Sequence, residues 1–270
     1  MFVELRVKLK NNKDYGFEIS SLLHGVMMES IDADYAEKLH REGLKPYSQH
    51  VEREDGSLVW KIATFTQEAK ENIVDRLAQK ESIFLSYKND KLDVEDRECR
   101  TLEYRELLAQ TYFSSCPRRV RLDFITPTAF KVSGRYQFYP TVEHIFKSLV
   151  SKHDSIDPKS RVASESLFEQ IEKYVHIVGY RLRSTRFAME GTNISSFMGS
   201  VTLSIGGTQQ FVNLINMLCA MGEYTGVGIK TGIGMGAVKM LQMHKTGNGK
   251  STVSERNAGG QETVKEREEK

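Results

Sequence analysis

Cysteine is scarce in this 270-residue chain: there are three, Cys99, Cys116 and Cys219, an odd number set far apart. That argues against a disulfide framework, offers no metal-ligand spacing and implies a reducing, cytoplasmic setting. No run of 18 apolar residues occurs, so neither a membrane span nor a membrane partner is expected. The first residues, Met1 to Val7, alternate apolar and polar and carry Glu4. They read as a strand and not as a signal peptide. Cofactor fingerprints are missing as well. Gly247-Asn-Gly-Lys250-Ser251 resembles half of a phosphate loop, but the required upstream glycine position holds His244. With no nucleotide or metal motif, no cofactor is expected.

Hydrophobic residues make up 39% of the chain, with 13 Phe and 11 Tyr, enough to build a core. The net charge of +2 hides an asymmetry. Residues 1–118 hold 18 Lys and Arg against 22 Asp and Glu, whereas residues 119–243 hold 14 against 9. The second half is the better platform for an anionic partner.

Val3, Leu5, Val7 and Leu9 put one face of a first strand inward. Helical spacing follows from Glu18 to Ile31, then in a short helix from Tyr35 to Glu42. Asp55-Gly56 is a hairpin signal between two strands, and Thr66 is an N-cap for a helix running to Lys80. Ile83 to Tyr87 reads as the fourth strand. The order β-α-β-β-α-β is the ferredoxin-like unit. Cys116-Pro117 marks a junction. Beyond it the order repeats: a strand from Arg119 to Ile125, a helix after Tyr139-Pro140, and a second helix from Val162 to Lys173. Strands over Val175 to Ala188 and Phe197 to Ile205, a helix capped by Thr208 and a last strand over Ala237 to Met243 complete it.

The fold expected is therefore α+β: two tandem ferredoxin-like (RRM-like) domains, residues 1–117 and 118–243. Residues 244–270 lack aromatics, Leu and Ile, and are expected to be a disordered tail.

Between the last helix and the last strand stands Gly226-Val-Gly228-Ile-Lys230-Thr-Gly232-Ile-Gly234-Met-Gly236. Dinucleotide glycine loops run from strand to helix, so that phosphate meets a helix N-terminus. Here the helix comes first, which removes that mechanism. A glycine loop carrying one lysine, Lys230, is expected to approach a phosphodiester backbone. Arg119, Arg121, Arg181, Arg183, Arg186 and Lys239 are the further candidates for a phosphate-tracking groove, with positions 181 and 183 on one strand face.

Two ferredoxin-like halves, this glycine loop, Leu122-Asp-Phe-Ile-Thr-Pro-Thr-Ala-Phe130 and Phe138-Tyr-Pro140 occur together. Over roughly residues 1–243 the chain resembles CRISPR-associated protein family six, endoribonucleases that cut precursor CRISPR RNA within its repeats. The resemblance implies metal-independent cleavage, with the ribose 2′-OH attacking the adjacent phosphorus to leave 2′,3′-cyclic phosphate and 5′-OH ends. Such chemistry needs a base, an acid and a cation at the phosphorane.

By the same resemblance, His40 takes the place of an active-site histidine and Lys45 that of a charge-stabilising lysine. A tyrosine found in the first helix of some relatives is missing; His24 or Tyr47 could stand in for it. His144, His153, His176 and His244 read as ordinary surface or packing positions. The partner implied is a precursor CRISPR RNA repeat, met by a monomer or homodimer, alone or within an effector complex. The alternative is a subunit that holds repeat RNA in such a complex without cutting it.

Overall fold

The computed structural model describes residues 1–10, 13–41, 43–189, 191–245, 251–256 and 262–265. The alternation at the start of the chain becomes β1 (Phe2–Lys10), with Val3, Leu5, Val7 and Leu9 buried. Helices α1 (Ile19–Ser30) and α2 (Ala33–Arg41) follow. β2 (Tyr47–Glu54) and β3 (Ser57–Thr64) form the expected hairpin, and both turn residues, Asp55 and Gly56, have positive φ. The Thr66 side chain accepts the Ala69 N–H and starts α3 (Gln67–Ala69). This helix runs on through a π turn, Lys70–Val74, into α4 (Asp75–Leu77).

The fourth strand departs from expectation. Residues Ser82–Leu85 form only a short edge strand, β4. The strand that pairs with β1 and completes the ferredoxin unit is β5 (Asp90–Leu102). The sheet order is β2-β3-β1-β5-β4, antiparallel throughout. β5 is nearly all polar, with only Leu92 and Leu102 buried, so it lacks the alternation that marks a strand. α5 (Tyr104–Gln110), which opens with a capping box at Glu103 and Glu106, leads to the second half.

There β6 (Arg119–Thr128) is followed by a small hairpin, β7 (Phe130–Val132) and β8 (Arg135–Gln137). Next come α6 (Val142–Ile156), α7 (Glu165–Tyr174), β9 (Val175–Met189), β10 (Thr192–Ile205), α8 (Gln209–Thr225) and β11 (Val238–Lys245). α7 starts later than the pattern suggested. The backbone N–H groups of Val162 and Ala163 instead donate to Asp154 at 2.9 and 3.1 Å. β12 (Ser251–Arg256) and β13 (Glu262–Lys265) extend the sheet, whose order is β13-β12-β11-β6-β10-β9. The remainder of the tail expected to be disordered lies outside the described residues.

The two halves share apolar packing. Phe2, Phe65 and Leu102 of the first belong to the same buried cluster as Phe124, Phe146, Leu149 and Leu218 of the second. Polar groups add to the junction. Ser48 Oγ donates to the Tyr224 carbonyl, and Lys239 meets Glu52 at 2.7 Å. The glycine segment closes it. Gly234 has φ +113°, and a Cβ there would lie 2.2 Å from the Ser20 side chain on α1. Ser20 is itself fixed, because its carbonyl accepts from Gln49 Nε2 at 2.9 Å while Gln49 Oε1 accepts from Trp60 Nε1 at 2.8 Å.

Gly234→Ala should therefore destabilise the protein by about 2–4 kcal/mol, from left-handed backbone and overlap with Ser20 together. Gly25→Ala, on α1 with no atom within 4 Å of the new methyl, should be neutral or stabilising by about 0.5–1 kcal/mol. Urea unfolding of the two variants checks the contrast.

Candidate active site in the interdomain cleft

A cleft of about 450 Å³ opens where the glycine segment meets the first half. Its walls include His24, His40, Lys45 and Tyr47 from one side and Lys152, Lys230 and Gly232 from the other. The three residues expected to be catalytic thus stand together with the loop lysine.

His40 lies in the last turn of α2 and is exposed. Lys45 follows the helix end, and its ammonium donates to the Leu39 carbonyl. That carbonyl has no partner within the helix, so the lysine both caps α2 and stands beside His40. His24, on α1, is half-buried. Its Nε2 lies 3.0 Å from the hydroxyl of Tyr47, the first residue of β2, and the two rings stack with centroids 6.2 Å apart. Burial, aided by the charges of His40 and Lys45, pulls the His24 pKa down to about 4. A neutral imidazole at neutral pH results, with a lone pair to accept a proton. Burial pushes the Tyr47 hydroxyl up, so it stays protonated, an oxygen that can donate to the ring or accept its N–H according to the tautomer.

The glycines pack closely on the protein itself. Gly232 lies on the Tyr47 ring, where a Cβ would be 2.9 Å from Cε2. The motif Thr126-Pro127-Thr128 is the loop's floor. Gly236 N–H donates to the Pro127 carbonyl at 3.0 Å, and Ala237 N–H donates to Thr126 Oγ1 at 2.9 Å. Gly226, Gly228 and Gly236 all have positive φ and pack against backbone carbonyls. Lys230, at φ +56°, is the loop's charged side chain on the cleft.

The expected basic groove divides. Register across β6, β10 and β9 sets Arg119, Arg121, Arg181 and Arg183 opposite Ser204, Thr202, Ser200 and Met198, all on the sheet face away from α6 and α8. Lys239 shares that face, opposite Asp123. Arg186 points to the other face, opposite Ser195. None of these six lines the cleft. Arg121 is paired with Asp123 at 2.6 Å and Lys239 with Glu52, whereas Arg181 and Arg183 are exposed.

Two features were not legible in the sequence. Lys152, on α6, is 7% exposed and donates to the Thr225 and Gly226 carbonyls. Its place beside Leu149 and Val150 on the apolar side of α6 was the one signal of this. His153 is a packing residue, as expected, but one with partners. Its Nε2 lies 2.7 Å from the Tyr104 hydroxyl and its Nδ1 2.9 Å from Asp154 Oδ1, which ties α5 to α6.

Residues 122–238 match the sequence profile described as CRISPR-associated endoribonuclease Cas6. A CRISPR-associated endoribonuclease Cas6 of Mycobacterium tuberculosis is 35% identical over 223 residues, covering 81% of this chain and 70% of its own. One from Streptococcus thermophilus is 30% identical over 232 residues, covering 83% and 91%. Among solved structures, a Cas6 product complex superposes with a TM-score of 0.74 at 20% identity, over 89% of this chain and 100% of that one, a likeness of fold.

Burial of neutral histidines makes a prediction. His50, beside the Lys239–Glu52 pair, is also held at about 4, chiefly by desolvation. An unfolded imidazole titrates near 6.5. Between pH 4 and 6.5 the unfolded chain therefore binds protons that the native protein excludes. The histidines' contribution to stability should be complete above pH 6.5 and fall as pH drops toward 4, each adding up to about 1.4 kcal/mol per pH unit. His24→Asn should remove about half of that slope in denaturant unfolding across this window.

Proposed function

The chain belongs to the Cas6 family of CRISPR-associated endoribonucleases, and on that premise we propose that the interdomain cleft cuts precursor CRISPR RNA within its repeats without a metal ion. The observation that carries the reading is the meeting of His24, His40, Lys45 and Lys230 on one cleft. Cleavage proceeds by attack of a ribose 2′-OH on the adjacent phosphorus.

His24, neutral at pH 7, takes the 2′-OH proton. Exposed His40 delivers a proton to the departing 5′-oxygen. Lys45 and Lys230, one from each half, flank the phosphorane and stabilise its added charge. The products are a 2′,3′-cyclic phosphate and a 5′-OH end. In the tautomer that donates Nε2–H to the Tyr47 oxygen, the ring is fixed and Nδ1 keeps the lone pair that takes the proton. Away from the cleft, Arg181 and Arg183 on the open sheet face hold phosphates of the same strand and set affinity. A free, exposed Cys99 thiol fits the cytoplasmic setting in which such transcripts are met.

His40→Ala should bind repeat RNA within about threefold of wild type and lose at least about 10²-fold in single-turnover cleavage, with EDTA harmless to the parent protein. Normal cutting by this variant would overturn the assignment. Replacing Arg181 and Arg183 together should weaken binding and flatten the dependence of log affinity on log salt by about 0.7 for each phosphate no longer held, read by filter binding from about 50 to 300 mM salt.

A further inference from the structure

Lys152 has no place in the chemistry above, yet its amine lies buried inside the protein. Its ammonium donates to the Thr225 carbonyl at 2.8 Å, the Gly226 carbonyl at 2.9 Å and Thr231 Oγ1 at 3.3 Å. All three acceptors belong to neutral groups. The two carbonyls lie at the C-terminal end of α8, where helix carbonyls lack partners and the dipole favours a cation. Thr231 lies five residues beyond, at the start of the short 3₁₀ turn of the glycine segment. One side chain therefore ties the two ends of the sharp bend between α8 and that turn.

The turn leads to the cleft. Gly232, the residue after Thr231, lies on the Tyr47 ring, and the Tyr47 hydroxyl is 3.0 Å from His24 Nε2. A chain of direct neighbours thus runs from Lys152 through Thr231 and Gly232 to Tyr47 and His24. An apolar residue at 152 would fill the same space but would leave the Thr225 carbonyl and Thr231 Oγ1 without this donor, and Gly226 with only the Thr225 hydroxyl at 3.1 Å. The loop would keep its backbone bonds to Pro127, Ala129 and Thr126, but the Thr231–Gly232 turn would lose its tie to α8 and could shift on the Tyr47 ring. Burying an ammonium is unfavourable in itself; burial pulls the Lys152 pKa down to about 7. A lysine whose sole work was packing would be a poor choice there.

We propose that Lys152 is a positioning residue for RNA cleavage, holding the glycine segment against Tyr47 so that Tyr47 fixes the His24 imidazole in the cleft. The proposal rests on the reading of His24 as a participant in cutting. A structural role alone would show only as reduced stability. Positioning should show at His24 itself. The charges acting on the His24 ring are those of His40 and Lys45, not Lys152. A change in His24 titration on removing Lys152 would thus report a moved or newly hydrated ring and not a missing charge.

The experiment follows the His24 imidazole by NMR from about pH 3.5 to 8 in the full chain, alongside single-turnover cleavage and repeat-RNA binding. In Lys152→Met the His24 titration should move upward from about pH 4 by at least about one unit, toward the ordinary 6.5. Cleavage should slow by about 10- to 100-fold, the scale of a reacting group displaced by about 1 Å, with RNA affinity changed less than about threefold. Thr231→Val, which removes a single acceptor and leaves Lys152 buried, should show the same two changes in smaller degree. It decides the matter if the Met variant does not fold. A His24 titration unmoved in the folded variants overturns the proposal even if cleavage falls. A titration that moves while cleavage stays normal overturns it through its premise, the part played by His24 in cutting. Loss confined to RNA affinity overturns it too, by making Lys152 a binding residue.

Discussion

The seating of the glycine segment on the first half of the chain is the interaction on which the candidate site depends. Neither half holds the site alone. His24, His40 and Lys45 come from α1, α2 and the strand entry beyond them, and Lys230 and Gly232 come from the turn after α8. What brings them to one cleft is a backbone without side chains pressed against Ser20 and Tyr47. Glycine is needed there less for flexibility than for closeness: a single methyl at 232 or 234 would meet the facing domain before the loop could seat.

Electrostatics follows from the same seating. Covering α1 with the loop takes His24 out of water, and that desolvation, more than any neighbouring charge, is what keeps its ring neutral. His40, one residue beyond Leu39 on α2, stays exposed at the rim. Two histidines of ordinary type are thereby given different surroundings within one cleft, the arrangement that acid–base chemistry at constant pH requires. The arginines of the open sheet face lie outside this region.

Much of this was legible in the sequence, and the failures have physical causes. Alternation over β1 and β6, the Asp55-Gly56 turn and the Thr66 and Thr208 caps are local signals, and they set out the element order of both halves. β5 escaped because both its faces are polar. Arg97 and Glu98 lie opposite Val7 and Arg6 of β1, yet hardly a residue between Leu92 and Leu102 is buried. The pattern therefore points to Ile83 for the fourth strand, where apolar residues are dense. His24, His40, Lys45 and Lys230 stand out by pattern and resemblance; their common cleft could not be read from residues as far apart as 24 and 230. Lys152, marked only by its place on the apolar side of α6, went unread for a different reason. Its burial is decided by carbonyls some 70 residues downstream, which no local window contains.

The shared apolar cluster has a consequence for how the molecule comes apart. Phe2, Phe65 and Leu102 close a core whose larger part lies in the second half. Loosening either ferredoxin unit would expose these rings and chains to water at the expense of the other. Two look-alike folds joined in tandem thus share one core, and separating them would cost the burial of apolar surface in both.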